Sequence, residues 1–243
     1  MNNIALLIST YDNSEDLWST LEETFQKFWP DIELPIYLTT NHMEFESKLF
    51  NSLKIGEELS WSDNLIKSLK KIKQEYVLLT FDDLFLTDKV DNQFIEQLMT
   101  RAIQSEFNYL QFYRSISKGR RLDDLIFKKF NKTRYRNSTI WSFWKKDVLL
   151  ELLQKDENAW EFETNGSARS YKYKGFYSTR RNAIPFVNGI VKGIWNPLAK
   201  NKLKRLGFSI PDTRATLGFF NTFKYKMRDL QFDFLTYMIH KVY

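Results

Sequence analysis

Two adjacent carboxylates, Asp82 and Asp83, are the residues of this sequence best suited to chemistry. They follow Tyr76–Phe81, an apolar run that is too short for a helix and rich in residues that favour strands. Open α/β sheets bind their ligands in the crevice beyond the carboxyl ends of the strands. Two carboxylates placed there could hold a divalent cation that bridges a diphosphate. The alternative is that one Asp caps a turn and the other is a solvated surface residue.

A second pair of acids, Glu161 and Glu163, lies in a stretch that mixes acids, aromatics, Asn and Gly and is therefore typical of a loop. On an extended segment these two side chains point to the same side. One of them could act as a general base, a task that carboxylates perform in many enzymes. The other would then support the structure or hold hydroxyl groups of a substrate.

The composition limits the class of protein. The chain has 243 residues, of which 43% are hydrophobic and none is cysteine. It can bury one large core, and it has neither a disulfide scaffold nor a thiolate metal site. The apolar run Ile4–Ile8 is too short for a signal peptide or a membrane span, and no other stretch approaches the required length. We therefore expect a soluble or membrane-peripheral protein of the cytoplasm.

The charge of the chain is moderately basic, with a formal net charge of +6 and a sequence pI of about 9.2. This excess suits nucleotide phosphates, an anionic membrane face or nucleic acid. The sequence has no zinc-finger spacing and no RNA-binding aromatic motif, so nucleic acid is not an expected partner. It also lacks a Gly-rich Walker loop, which argues against a P-loop kinase or ATPase.

The predicted elements that must position these acids alternate between strand and helix. Ile4–Ser9 is apolar throughout and is predicted to be a strand buried on both faces. An amphipathic helix with its apolar side chains between Leu17 and Phe28 follows, and Leu34–Leu38 is the second strand. This βαβ unit predicts a parallel sheet.

Further elements continue the same alternation. The predicted elements are strands at Leu53–Gly56, Tyr76–Phe81, Asn108–Arg114, Ile140–Trp144 and Ile184–Val187, with helices from Ser62, at Val90–Ile103 and at Val148–Gln154. The basic and poorly periodic segment Lys118–Arg136 is predicted to be an insertion or a mobile segment over one edge of the sheet.

This order of elements resembles that of GT-A glycosyltransferases, specifically the family 2-like enzymes of bacterial surface-polysaccharide biosynthesis. The residues that carry the resemblance are Ser9-Thr10-Tyr11, Thr39-Thr40-Asn41, Asp82-Asp83, Glu161 with Glu163, and Lys192-Gly193-Ile194-Trp195. The resemblance implies a Rossmann-type, mostly parallel central sheet flanked by helices. It also implies a catalytic domain over residues 1–215, followed by an aromatic and basic helical segment over residues 216–243.

The resemblance also implies roles for individual residues. The donor nucleotide-sugar would be held by Thr10, Tyr11, Asn41, Asp63, Asp82, Asp83 and Lys192. Within that set, Asp82 and Asp83 would bind the diphosphate through Mn²⁺ or Mg²⁺, although the usual motif has the form Asp-x-Asp and this chain keeps only an adjacent pair. A metal-independent enzyme could neutralise the diphosphate with Lys192, Arg180 or Arg181 instead.

The remaining implied roles concern the acceptor. Glu163 would be the general base, with Glu161 as the reserve, and the surroundings of Lys118–Arg136 and Trp195 would position the acceptor hydroxyl. Each residue has a simpler explanation: Tyr11 could cover the sheet edge, Asp63 could be a helix cap, and Trp195 could belong to the core.

The expected function is transfer of a sugar from a nucleotide-sugar to a polysaccharide or lipid-linked saccharide acceptor, with inversion if a carboxylate is the base. The alternative is a non-catalytic nucleotide- or sugar-binding module on the same fold. A nucleotidyltransferase is disfavoured, because Ser9–Ser14 contains no glycine for a phosphate loop.

The C-terminal segment is dense in aromatic and basic residues. The residues concerned are Phe219, Phe220, Phe223, Tyr225, Phe232, Phe234, Leu235, Tyr237 and Met238, with Lys224, Lys226, Arg228 and Lys241 among them. One interpretation is a helix that completes the core. The other is an interfacial anchor that holds the protein at the inner face of an anionic membrane, where a lipid-linked acceptor is concentrated.

Overall fold

The computed structural model of the protein describes residues 2–242, and in the last helix it does not describe the side chains of residues 219, 220, 225, 228, 229 and 240–242. The strands are β1 (Ile4–Ser9), β2 (Ile36–Thr40), β3 (Phe50–Lys54), β4 (Tyr76–Phe81), β5 (Leu84–Leu86), β6 (Tyr109–Gln111), β7 (Gly119–Arg121), β8 (Ile126–Lys129), β9 (Ser142–Lys145), β10 (Phe176–Thr179), β11 (Phe186–Asn188), β12 (Ile190–Val191) and β13 (Ile194–Trp195). The helices are α1 (Glu15–Phe28), α2 (Trp61–Lys71), α3 (Asn92–Gln104), α4 (Lys146–Leu152), α5 (Ala159–Glu161), α6 (Ser167–Arg169), α7 (Pro197–Arg205) and α8 (Phe219–Val242).

Within the described residues, nine strands form one central sheet in the order β3-β2-β1-β4-β9-β6-β10-β8-β7. The first four pair in parallel, as the βαβ pattern predicted. Strand β9 then enters antiparallel between β4 and β6, and β8 runs antiparallel to both β10 and β7. The predicted α/β fold with a mostly parallel sheet is therefore confirmed.

The core lies on both faces of this sheet, and the apolar run of β1 shows why. Ile4, Leu6 and Ile8 contribute to one buried cluster, which includes α1, while Ala5 and Leu7 contribute to the other, which includes α2 and α4. Successive residues of a strand point to opposite faces, so a strand covered by helices on both sides must be apolar at every position.

The predicted insertion at Lys118–Arg136 was wrong, because this segment contributes β7 and β8 to the far edge of the sheet. Two of its basic residues, Lys129 and Arg136, are buried inside the protein. The buried Lys129 Nζ donates to Gln111 Oε1 (2.5 Å) and to the backbone oxygen of Arg136 (3.0 Å). Burial lowers the pKa of the Lys129 ammonium well below its usual range. A charged residue can be buried when its polar groups are hydrogen-bonded. A strand that contains such residues lacks the alternating apolar pattern by which strands are recognised in a sequence.

The predicted C-terminal helix is present as α8. Of the residues that the sequence suggested for an anchor, Phe219, Phe220, Tyr225, Arg228 and Lys241 lie outside the described side chains. No helix within residues 2–242 is long and apolar enough to cross a bilayer.

Candidate active site

The site forms where β1 and β4 end side by side. The two strands are parallel neighbours, and their last residues, Ser9 and Phe81, are paired in register. The residues that follow, Thr10 and Asp82, therefore meet although they are 72 positions apart: Thr10 Oγ1 donates to Asp82 Oδ2 at 2.5 Å. Trp18 Nε1 in turn donates to Thr10 Oγ1 at 3.0 Å. Asp82 is buried, and these bonds fix its orientation.

Asp83 occupies the turn between β4 and β5 and is half-buried on the wall of a cavity. Gly189 N donates to the backbone oxygen of Asp83 at 2.8 Å, which ties this turn to the end of β11. The short strand β5 pairs antiparallel with β11, so the turn is fixed from both sides.

Ionisation of the two carboxylates is unfavourable in the folded protein, and the pKa of each is raised. Burial raises the pKa of Asp82 to about 6, although hydrogen bonds from Thr10 and Ser14 and the charge of Arg214 oppose it. Burial, and then the adjacent Asp82 carboxylate, raise the pKa of Asp83 to about 8. Two neighbouring carboxylates that are shielded from water cannot both ionise without a cost in free energy unless a cation lies beside them. Such a pair is typical of a site completed by a ligand.

The cavity has a volume of about 380 Å³. Its wall is formed by Ser9, Thr10, Tyr11, Glu58, Trp61, Asn64, Phe81, Asp82, Asp83, Leu84, Thr139, Ile140, Asn158, Ala159, Trp160, Glu163 and Asn188. Five residues selected from the sequence thus line one cavity, namely Thr10, Tyr11, Asp82, Asp83 and Glu163. They come from three separate parts of the chain.

Glu163 is held in a fixed orientation through one of its oxygens. Oε1 accepts hydrogen bonds from Ser138 Oγ (2.7 Å), Thr139 N (2.8 Å) and Thr139 Oγ1 (3.1 Å). No described residue donates a hydrogen bond to Oε2. The carboxylate is therefore oriented by Oε1, and Oε2 is available to a group that enters the cavity.

The expectation that Glu161 and Glu163 share one side was wrong, because the segment is helical and not extended. Helix α5 is followed by a π-helical turn, Phe162–Gly166, which contains Glu163. Asn158 and Glu161 form a capping box: Asn158 Oδ1 accepts from Glu161 N (3.0 Å), and Glu161 Oε2 accepts from Asn158 N (2.8 Å). The Asn-x-x-Glu spacing was a sequence signal for this helix start. Glu161 is exposed outside the cavity and has a structural partner.

Asn41 lies behind the site, where it holds the first two loops together. Its Oδ1 accepts from Asp12 N (3.0 Å), and its Nδ2 donates to Glu58 Oε2 (2.7 Å), a residue of the cavity wall. The Asp12 carboxylate accepts three backbone N–H groups, those of residues 41 to 43. Asn41 thus acts on the cavity through Glu58.

Asp63 and Lys192 do not line the cavity. Asp63 Oδ2 accepts from Ser60 Oγ (2.5 Å) and from Asp156 N (3.0 Å). Ser60 is the N-cap of α2, so Asp63 belongs to the cap of that helix. Lys192 is exposed at the tip of the β12–β13 hairpin, where its φ of 51° and that of Gly193, 80°, form the turn.

Several candidate residues of the cavity carry no signal in the sequence, and of the two roles considered for Trp195 the structure shows the core one. Trp195 is fully buried and stacks on Phe85, with ring centroids 5.7 Å apart. Trp61 and Trp160 line the cavity instead. Arg214 was also missed: it makes a two-pronged contact with Asp16, at 2.8 Å from Nε and 2.6 Å from one terminal nitrogen, and its charge acts on both Asp82 and Asp83. No local pattern marked these residues.

Comparison with solved structures shows which fold positions this cavity. The chain superposes on mannosyltransferase PcManGT from Pyrobaculum calidifontis, solved in complex with GDP-Man and Mn²⁺, with a TM-score of 0.53 and 10% identity over 86% of this chain. The chain has a GT-A-like fold. It also matches TarS 1-349 from S. aureus, with a TM-score of 0.49 and 10% identity over 85% of this chain.

The chain is shorter than both of these proteins, since the matched region covers 66% of PcManGT and 64% of TarS 1-349. A UDP-glucose pyrophosphorylase complexed with UDP-glucose matches with a TM-score of 0.46 and 8% identity, over 77% of this chain and 92% of its own. No protein-family model matches the sequence, and no curated protein sequence matches it.

We expect Asp83→Asn to stabilise the ligand-free protein at pH 8 and to have a clearly smaller effect at pH 5. The pKa of Asp83 is raised to about 8 in the folded protein, whereas an aspartate of the unfolded chain has a pKa of about 3.9. Between these values the folded state binds a proton that the unfolded state does not, so the free energy of unfolding falls as the pH rises. The variant removes this penalty.

Calorimetry in EDTA at the two pH values measures the effect. The expected rise in Tm at pH 8 is about 3 °C or more, since 1 kcal/mol corresponds to about 2–4 °C at this chain length. Asp88→Asn, at an exposed aspartate, is the matched control and should not change the Tm. An Asp83→Asn variant less stable than the wild type at pH 8 would refute the penalty.

Proposed function

We propose that this protein is a glycosyltransferase that moves a sugar from a nucleotide-sugar donor to a saccharide acceptor. One observation carries the proposal: the acidic pair at the end of β4 and the separately oriented Glu163 carboxylate line the same cavity. The first suits a leaving diphosphate and the second suits an acceptor hydroxyl. The GT-A-like fold, which PcManGT shares, supports this assignment.

The donor side of the cavity is assigned to the loops after β1 and β4. Tyr11 is exposed on the wall and is assigned to stack on a nucleotide base. Trp61 Nε1 donates to Ser9 Oγ (3.1 Å) and its ring stacks on Phe81, which makes the floor beneath the base rigid. Asn41 supports this side through Glu58.

The acidic pair fits a divalent cation such as Mn²⁺ or Mg²⁺. Among the described residues no group of three or more His, Cys, Asp or Glu side chains is arranged to hold a metal. Mg²⁺ is, however, commonly bound by one or two carboxylates together with substrate phosphates and water. Asp83, with Asp82 behind it, would be the protein ligands. A bound cation would neutralise the pair and the charge that develops on the diphosphate.

Glu163 is assigned the role of general base. Oε1 stays in its three hydrogen bonds, and Oε2 accepts the proton of the acceptor hydroxyl. The acceptor oxygen forms its bond to the anomeric carbon as the bond from that carbon to the diphosphate oxygen breaks, and the diphosphate leaves with the electron pair. Attack opposite the leaving group inverts the anomeric configuration.

A thermal-shift screen of the purified chain against UDP, GDP, CDP, ADP and dTDP, with and without Mn²⁺, tests the donor assignment. A ligand that binds only the folded state raises the Tm, and we expect at least one nucleotide to do so more strongly with Mn²⁺. The matching nucleotide-sugar is then assayed for hydrolysis and for transfer. If no nucleotide binds, the proposal fails. If one binds but no sugar is released or transferred, the chain is a nucleotide-binding module on this fold.

We also infer that α8 contacts an anionic membrane surface, where a lipid-linked acceptor would lie. Phe223, Met227, Leu230, Phe234 and Met238 follow one another at steps of three or four and are each 41–63% exposed. At about 100° per residue they share one side of the helix. The opposite side contains the buried Thr236. Exposed Lys224 and Lys226 flank the apolar stripe, as cations flank the apolar face of an interfacial helix, and Phe232 and Leu235 extend the exposed apolar surface to other sides of α8.

Flotation with vesicles of phosphatidylcholine and phosphatidylglycerol tests this contact. We expect the chain to float at low salt, and Phe223→Glu/Phe234→Glu to reduce the bound fraction about tenfold or more, since burial of one such side chain contributes about 1.5–3 kcal/mol. Asn221→Glu/Thr222→Glu adds the same charge outside the stripe and should retain more than half of the binding. Equal losses for the two double variants, or a wild-type chain that stays unbound, would contradict the inference. Light scattering would then show whether the stripe pairs with a second copy.

A further inference from the structure

Trp160 differs from the other tryptophans of the chain. Five of the seven tryptophans are essentially fully buried, and Trp61 is half-buried beneath the cavity. Trp160 is 73% exposed and lies at the rim of the same cavity. An indole ring has one of the largest apolar surfaces of any side chain. A ring this exposed beside a site of polar chemistry is a surface on which a ligand can be placed.

The backbone that carries Trp160 is rigid. The residue stands in α5, between the two partners of the Asn158–Glu161 capping box. Its backbone oxygen accepts a hydrogen bond from Thr164 Oγ1 at 3.0 Å. Glu163 follows three residues later and lines the same cavity. The aromatic ring and the assigned base are therefore held by one short helical segment at a fixed spacing.

Amide groups complete the surroundings of the ring. Asn158 and Asn188 both line the cavity and are exposed. Each uses its side-chain oxygen inside the protein, Asn158 toward Glu161 N (3.0 Å) and Asn188 toward Ile190 N (3.1 Å). No described residue accepts a hydrogen bond from either side-chain nitrogen. Both NH₂ groups can donate to a ligand.

We propose that Trp160, Asn158 and Asn188 form the acceptor subsite and that it binds a pyranose ring. One face of a pyranose presents C–H groups, which pack on an aromatic face, while its hydroxyl groups accept hydrogen bonds from amides. A sugar that lies on Trp160 presents a hydroxyl toward Glu163 on the same helical segment. The inference rests on the proposed function and adds the residues that recognise the sugar ring of the acceptor.

Fluorine NMR of protein labelled with 5-fluorotryptophan tests the subsite directly. The Trp160 resonance is assigned by its absence in Trp160→Phe. The probes are chitotetraose, maltotetraose and mannotetraose, with mannitol as a polyol that lacks a ring, and with UDP and GDP. We expect at least one tetrasaccharide to shift the Trp160 resonance in a saturable way and mannitol to leave it unchanged.

Affinities measured by calorimetry for the tetrasaccharide that binds then separate this subsite from the donor site. Trp160→Ala should weaken its binding about tenfold, the effect of about 1.4 kcal/mol of lost stacking, and Trp160→Tyr should restore most of it. Nucleotide binding should change less than twofold in Trp160→Ala. Tyr11→Ala should give the reverse pattern. Leu122→Ala, at an exposed apolar residue between β7 and β8, should affect neither ligand.

Three outcomes are informative. If the Trp160 resonance responds to UDP or GDP and to no tetrasaccharide, the ring belongs to the donor site and the inference is overturned. If it responds to no probe at saturating concentrations, the subsite does not exist as described. If tetrasaccharides bind in the Trp160-dependent way but no nucleotide binds, the subsite stands and the proposed glycosyl transfer fails.

Discussion

Glu163→Gln is expected to lower kcat by about a hundred- to ten-thousand-fold, the usual effect of losing a general base, with unchanged affinity for the donor. The glutamine oxygen can accept the same hydrogen bonds from Ser138 and Thr139 that Glu163 Oε1 accepts. The helical segment should therefore keep its shape. What is lost is the second carboxylate oxygen and its ability to take a proton.

The control for this experiment is Glu161→Gln, two residues away on the same segment. Its side chain caps the helix from outside the cavity, and a glutamine retains an oxygen for the Asn158 N–H group. We expect a change in kcat below about threefold. Donor affinity is measured by calorimetry without acceptor, and kcat is measured at saturating donor. Similar losses for both variants would exclude Glu163 as the base.

Asp83→Asn is expected to abolish the Mn²⁺-dependent part of nucleotide binding and to lower transfer by about a hundred- to a thousand-fold. A cation that stabilises a leaving diphosphate contributes several kcal/mol to the transition state, and each 1.36 kcal/mol is a factor of ten in rate. Asp83 lines the cavity, where a diphosphate and its cation can reach it. An amide provides one neutral oxygen where the cation needs a charged ligand.

Asp82→Asn is the matched comparison, because it removes the same charge one residue earlier. The Asp82 carboxylate is committed to Thr10, and an asparagine oxygen can accept that bond. We expect a smaller loss of transfer than for Asp83→Asn. Calorimetric titration of the nucleotide with and without Mn²⁺, together with transfer rates, distinguishes the two. Wild-type kcat in Asp83→Asn would mean that the acidic pair is not the diphosphate site.

If Asp83→Asn both loses activity and stabilises the ligand-free protein at pH 8, the Asp83 carboxylate is needed for function and lowers the stability of the fold. Burial and the neighbouring Asp82 raise its pKa, so the ligand-free protein is destabilised by the group that the chemistry uses. Active sites frequently show this conflict between stability and activity.

Much of the fold was determined by the sequence. β1 and β4 were predicted with the same bounds that the structure shows, because strands covered on both faces are continuously apolar. Helix α1 was evident from its apolar spacing. Other strands were displaced by two or three residues, for example Ile36–Thr40 where Leu34–Leu38 was predicted, since a strand ends where its neighbour stops pairing. The edge strands β7 and β8 were missed, because β7 has two exposed arginines and β8 ends in a buried lysine, so neither shows an apolar strand pattern.

The acidic residues of the candidate site were predicted from the sequence, but their arrangement in space was not. Asp82 and Asp83 were identified because they follow a buried strand, and that placement is a local property of the chain. Only the register of β1 against β4 brings Thr10 to Asp82. Likewise, Glu161 and Glu163 were indistinguishable in the sequence, and the helical segment separates a capping residue from a cavity residue.

The tryptophans also show which properties follow from the sequence and which depend on the tertiary structure. Composition shows that seven are present, but the burial of each one depends on what packs over it. Trp195 pairs with Phe85 inside the core, whereas Trp160 stands on a capped turn with 73% of its surface exposed. The sequence alone determined which side chains can perform the chemistry. The tertiary structure decided which of them share a cavity, because proximity between distant residues is set by strand register and helix packing.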